Sequence, residues 1–465
     1  MRHLVVLILA LAVAAAANAA VPSVPSTPGE VAPPAARPAA VFVVSGGGFG
    51  HGVGLNQYGA LAQAKASRSY RDILAFYYPG TQLATTAVSK VRVLITEGRP
   101  TVTVASAVPF SVNDASGAVT QLPAGEDVLG GDLRVMVDGK PTPLPGPLTF
   151  RPGKGGTLTL DGKGYRGQLR LSSSPKGVRA IDLVGLDAYL FGVVAGEMPK
   201  DWPQAALEAQ AVAARSYALA SLVKSRDFDL YADPRSQAYD GVSGESPSTT
   251  AAVAATRGQI LTYGGKVATT VYSSSSGGRT AASEDVFGFA LPYLQARDDP
   301  WDALSPFHRW APRSFTPASL AQALGLSAPV ADVAVVETPS RRPASVTVVK
   351  TTGESVLLSA ADVRARLRLW STAFRIGVLR VDQPSAAAAA GAPVVVSGLA
   401  RDVVSPRLER LGANGAWLPS LKVAPGPDGS FAVTVRPQAT VTYRLTAAGE
   451  PGPALTIIVA TGKPQ

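Results

Sequence analysis

The chain has 465 residues, 46% of them hydrophobic, which is enough for two to four domains with a sizeable buried core. Its formal charge of +10 suits an anionic partner such as a cell wall, a membrane surface or nucleic acid, but no long basic run or recognisable binding motif speaks for nucleic acid. The absence of cysteine excludes disulfides, thiolate metal sites and cysteine nucleophiles, and three histidines leave few candidates for a His-rich metal centre or a Ser-His-Asp triad.

The opening "MRHLVVLILALAVAAAANAAVP" has a basic start, a short apolar stretch and the small-residue pattern Ala17-Asn18-Ala19. It reads as a secretory signal over 1–19, removed before Ala20, with no stable membrane span left after cleavage. Residues 20–40 are rich in Pro and Ala and read as an extended tether. A strand "VFVV" (41–44) leads into the glycine turn "SGGGFGHGVG", and 57–78 looks helical. The glycine turn is not a dinucleotide-binding fingerprint, because strands without a helical crossover follow it. Its glycines instead allow close backbone approach, and His51 and Gln57 then either present polar groups to a hydroxylated or amide-bearing substrate or hold the loop itself.

Short alternating stretches at 88–156, such as "KVRVLI" and "TVTVA", predict a small β-module. Further strands lead into the apolar run "LDAYLFGVVAGEMP", where Glu197 stands without a His, Cys or second acid beside it. A long helix is expected over 203–223, with Pro203 in its first turn and Asp201 placed to cap it. The stretch 258–278 predicts a hairpin turning at Gly264-Gly265, and 356–376 a helix running into a strand. After the linker 384–392, short strands at 393–465 predict a small β-sandwich of immunoglobulin or fibronectin type. From the residues alone, Glu197 is a capping or surface charge or a catalytic acid. Tyr272, Ser276, Gly277 and Arg279 line a cleft or shape the end of the hairpin, and the serines at 274–276 lack a matched histidine for nucleophilic work.

Three blocks carry a family resemblance: "YLFGVVAGEMPKDWPQAALEAQAVAARSYAL" (189–219), "TTVYSSSSGGRTAASEDVFGFALPYLQARDDP" (269–300) and "GFGHGVGLNQYGALAQAKASRSYRDILAFYYPGTQL" (48–83). They resemble the sporulation stage II protein D and amidase-enhancer family of bacterial cell-wall proteins, over roughly 41–83 and 160–380. In that family the "GHGVG" block usually comes last, so its N-terminal position here looks like a circular permutation. Val41–Val44 should then lie beside the strand at Phe374–Val378.

The resemblance implies an α+β protein. Its β-rich catalytic domain is expected over 41–87 and 157–383 with a long helix after "GEMP", while the inserted β-module (88–156) and the C-terminal all-β sandwich, predicted from their own residues, lie outside the strongest resemblance. Some members of the family resemble lytic transglycosylases acting on peptidoglycan glycan strands, and others are thought only to stimulate amidases. The family's catalytic glutamate falls on Glu197 and its functional arginine on Arg215, with Arg215, His51, Gln57, Tyr272, Ser276, Gly277 and Arg279 as expected substrate contacts, Arg215 otherwise tying its helix to a neighbouring loop. Some members hold zinc through Cys and His near the "SSGG" block; with no cysteine here, no metal and no cofactor are expected. The expected partners are peptidoglycan glycan strands and a cell-wall amidase, in a secreted, wall-associated protein. A lone acid suffices when the sugar supplies its own nucleophile, provided the carboxyl is protonated near neutral pH, which calls for a raised pKa.

Overall fold

The computed structural model describes residues 40–223, 227–383 and 387–460. The secretory signal at 1–19 and the tether up to Ala39 lie outside the described residues. The described residues fall into two compact units, one over 50–305 and the other formed by 40–49 with 306–460. No helix among them is long and apolar enough to cross a membrane.

The first unit is built on a seven-stranded sheet in the order Leu230–Tyr231, Lys90–Arg99, Gly177–Gly185, Gln168–Ser174, Leu148–Arg151, Phe110–Asn113, Val119–Leu122. Lys90–Arg99 pairs antiparallel along the whole of Gly177–Gly185. The sheet therefore runs through the boundary expected near residue 156, and one hydrophobic cluster spans both sides of it, from Val104 and Phe150 to Leu190 and Val212. Against this frame lie α1 (Gln57–Lys65), α2 (Tyr70–Tyr77), α3 (Leu186–Glu197), α4 (Gln204–Ala220) and α5 (Pro247–Ala255). The helical stretch expected over 57–78 is thus two helices, separated where Ser69 and Asp72 form a capping box that starts α2. The hairpin turns where expected: Thr262 pairs with Val267 and Tyr263 with Lys266, with Gly264 and Gly265 both at positive φ.

In the second unit Ala40–Gly46 pairs antiparallel with Phe374–Arg380, Phe42 opposite Val378 and Val44 opposite Ile376. This is the adjacency that a permuted chain order requires. The run "VFVV" is apolar without alternation because both faces of its strand are covered. Phe42 and Val44 enter a cluster with Leu320, Val348 and Ile376, while Val43 joins one with Leu379, Leu408 and Ile457. The helix Ala360–Leu367 and the strand Phe374–Val381 appear as the sequence predicts. The C-terminal strands make two sheets over the Val43 cluster, one in the order Trp417–Lys422, Arg407–Leu411, Val441–Ala447, Glu450–Ile457. The other continues directly from Phe374–Val381 into Val394–Arg401 and Ser430–Val435, so it draws strands from outside 393–465.

Candidate active site

Glu197 is the last residue of α3. The helix stops there because a residue before proline is driven out of the helical region, and Met198, preceding Pro199, is extended at φ −130° and ψ 144°. The apolar run "LDAYLFGVVAGE" is therefore helical up to the acid itself, which puts the carboxyl at the helix's negative end, where an anion is disfavoured. Helix α4 starts only at Gln204, with Pro203 in the capping position and no side-chain cap, so Asp201 does not serve as one.

Glu197 is buried, 8% exposed, and Met198 beside it is 2% exposed. Tyr272 donates to Oε1 at 3.3 Å. Gln57, the first residue of α1, supplies a second side-chain bond to the carboxyl, and its own amide lies 3.5 Å from Gln210 Oε1 on α4. Burial lifts the carboxyl from its ordinary value of 4.5 to about 7, against the downward pull of the bonds from Tyr272 and Gln57. A carboxyl at that value is present in both its protonated and charged forms near neutral pH, as a group that gives and then takes back a proton must be.

Tyr272 is carried on the short strand Tyr272–Ser273, paired in parallel with Leu55–Asn56. The glycine turn makes that pairing possible. Gly54 has φ +71°, and a Cβ there would sit 2.2 Å from the Val271 carbonyl oxygen; at Gly50 it would sit 2.8 Å from Ser273 Cβ. His51 is half-buried, its Nδ1 accepts the Val53 N–H at 3.0 Å, and its ring meets Phe287 edge-on at 5.4 Å. In that bond Nδ1 accepts, so the neutral ring carries its hydrogen on Nε2, and the contact lies within the glycine turn itself.

The turn is pinned by a buried polar network absent from the sequence-based expectations. Asn56 Nδ2 donates to Asp299 Oδ2 at 2.7 Å and to Asp302 Oδ1 at 2.8 Å. Ser275 Oγ and the Ser276 N–H also donate to Asp302, and Ser276 Oγ and the Tyr77 hydroxyl to Asp299. Burial raises the Asp299 pKa. Ser276 thus belongs to the tie between the glycine turn and the serine-rich strand. Gly277 follows at φ +76°, and Arg279 pairs with Asp298 at 2.6 Å.

Arg215 lies elsewhere. Its side chain is fully buried on α4 and donates to Asp187 Oδ1 at 2.8 and 3.1 Å, to the Gln259 carbonyl at 3.1 Å and to the Val253 carbonyl at 3.2 Å. Asp187 stands at the start of α3 and Glu197 at its end, roughly 15 Å apart along the axis at 1.5 Å per residue. Arg215, expected as a substrate contact or as a tie between its helix and a neighbouring loop, has its guanidinium bonded to α3, the end of α5 and the strand Gln259–Tyr263, away from the carboxyl. Burial lowers its pKa, offset by Asp187.

Among the described residues, the geometry is that of a single buried acid in an aromatic, largely apolar setting, held by a tyrosine and a glutamine. The family-model comparison falls on the segment that carries Glu197. Residues 174–263 match the family model for the stage II sporulation protein. The stage II sporulation protein D of Bacillus subtilis (strain 168) is 30% identical over 217 residues, 42% of this chain and 61% of that protein. The amidase enhancer of the same organism is 39% identical over 148 residues, 31% of this chain and 20% of that protein. An uncharacterized protein of Brachyspira hyodysenteriae (strain ATCC 49526 / WA1) is 39% identical over 140 residues, 30% of this chain and 38% of that protein. The chain carries the domain of the stage II sporulation protein D and amidase-enhancer family. It spans less than two thirds of the length of each of these relatives.

Proposed function

We propose that the protein is a secreted, wall-associated lytic transglycosylase that cleaves peptidoglycan glycan strands, with Glu197 as its general acid and base. The observation that carries this reading is the buried Glu197 carboxyl at the end of α3, held near pH 7 and bonded by Tyr272. In the reaction, neutral Glu197 gives its proton to the glycosidic oxygen as the bond from that oxygen to the muramic acid C1 breaks. The C6 hydroxyl of the same sugar then forms a bond to C1, and its proton returns to Glu197. Atoms balance without water and without a second carboxylate, so one acid is sufficient. The cell-wall role itself rests on the family; the reaction is the finer step.

A second reading has its own support in the relative named an amidase enhancer: the same site binds the wall or an amidase without cleaving glycan. Incubating the mature protein with peptide-free glycan strands and analysing the products by mass spectrometry separates the two. Anhydro-ended fragments from the wild type that vanish in Glu197→Gln support the enzyme. No fragments from the wild type, together with faster hydrolysis by an added cell-wall amidase, replace it with the enhancer.

A further inference from the structure

Behind Tyr272 lies a chain of buried hydrogen bonds. Tyr189 Oη on α3 donates to Gln237 Oε1 at 3.2 Å, Gln237 Nε2 donates to Tyr272 Oη at 2.8 Å, and Tyr272 Oη donates to Glu197 Oε1 at 3.3 Å. Gln237 and Tyr189 are wholly buried, and Tyr272 nearly so. The direction of the chain is set by one further contact: Gln237 Nε2 also lies 3.4 Å from the Ala214 carbonyl oxygen, which can only accept. The amide nitrogen therefore faces Ala214 and Tyr272, and the amide oxygen faces Tyr189. Once Tyr272 Oη accepts from Gln237, its single hydrogen is free to point only onward, to Oε1 of Glu197.

We propose that Gln237 is a positioning residue: acting through Tyr272, it makes Oε1 of Glu197 the carbonyl oxygen and leaves the acid's proton on Oε2, the oxygen that serves the glycosidic bond. This rests on the reading of Glu197 as the acid. Without Gln237 the tyrosine hydroxyl can rotate and accept the carboxyl's own proton, turning that proton inward, away from substrate. With Gln237 in place, the inward arrangement would bring the tyrosine hydrogen against the amide N–H, so it is excluded. The groups facing the carboxyl among the described residues are Tyr189 on its own helix, Tyr217 on α4, Tyr272 on its strand and Gln57 on α1.

The test reads the carboxyl directly, by carbon-13 NMR of protein labelled at the glutamate side-chain carboxyls, the Glu197 resonance being assigned by its loss in Glu197→Gln. A donor to the carboxylate stabilises the charged form, so losing it raises the titration midpoint. Gln237→Met and Tyr272→Phe should each raise the midpoint, and the double variant should raise it no further than Tyr272→Phe alone, because both act through one bond. On peptide-free glycan, Gln237→Met should lower kcat about tenfold with KM within about twofold. Tyr189→Phe, which removes one hydroxyl and keeps the ring, should raise the midpoint by less and serves if Gln237→Met does not fold. An unmoved midpoint in Gln237→Met, or in Tyr189→Phe where that variant has to stand in, overturns the proposal, as do additive shifts in the double variant. The titration needs no substrate. A wild type that cleaves no glycan therefore sinks the enzymatic reading by itself, while the bond chain is judged by the NMR midpoints.

Discussion

Glu197→Gln should change how the fold's stability depends on pH, and the size follows from the burial of the carboxyl. Its folded pKa of about 7 stands above the ordinary 4.5 that it regains on unfolding. Between those values the folded chain binds more protons than the unfolded one, so stability falls as pH rises through the window and the cost is complete above it. At 1.36 kcal/mol per pH unit, the wild type loses roughly 3 kcal/mol between pH 4 and pH 9 on account of this group. Glutamine fits the same space and does not titrate. Asp182, lifted to about 7 by burial, and Asp299 titrate in both proteins and cancel in the difference. Chemical denaturation of wild type and variant at pH 4 and pH 9 reads the effect, with the variant gaining about 3 kcal/mol relative to wild type at the higher pH. Parallel pH dependence would refute the reasoning, because it is what a carboxyl open to water would give, and a difference of the opposite sign would mean a carboxyl paired with a cation.

Other changes test the scaffold around the acid. Asn56→Leu removes the donor shared by Asp299 and Asp302 and should destabilise the first unit by about 3–5 kcal/mol, more at pH 9 than at pH 5, as followed by denaturation. Gly54→Ala puts a side chain at φ +71° into the Val271 carbonyl, so amide exchange at Leu55, whose N–H bonds that carbonyl, should speed up by more than tenfold. Arg215→Lys should lower stability by about 2–3 kcal/mol through lost bonds to Asp187 and the two carbonyls, while kcat/KM of the folded fraction stays within about threefold. A hundredfold loss of kcat/KM with stability intact would instead return Arg215 to the substrate.

How much of this was legible in the sequence differs by residue, for physical reasons. Glu197 could be singled out because its surroundings are local: an apolar run, a proline two positions on and a helix soon after. Whether the run was strand or helix could not be read, since buried α3 is apolar on nearly every side and holds Gly192, Gly196 and two valines, so neither period stands out. That ambiguity hid the helix end that helps keep Glu197 neutral. The strand Ala40–Gly46 was legible as a strand, and its partner followed from the family's block order rather than from its own residues. The Asn56 network was out of reach because its acids lie 243 and 246 residues away, and hydrogen bonds leave no periodic trace. Gln237 stands in an irregular stretch, where its neighbours "DPRSQAYDG" signal only turns. Arg215 was located correctly on a helix, but a position on a helix does not say which end of its neighbour it faces.

The account stands most directly on the fate of water during cleavage. Digestion of peptide-free glycan in oxygen-18 water, with mass spectrometry of the new ends, should give 1,6-anhydro termini without the heavy isotope, from the wild type and not from Glu197→Gln. Reducing ends that carry oxygen-18, or equal product from the glutamine variant, would contradict it.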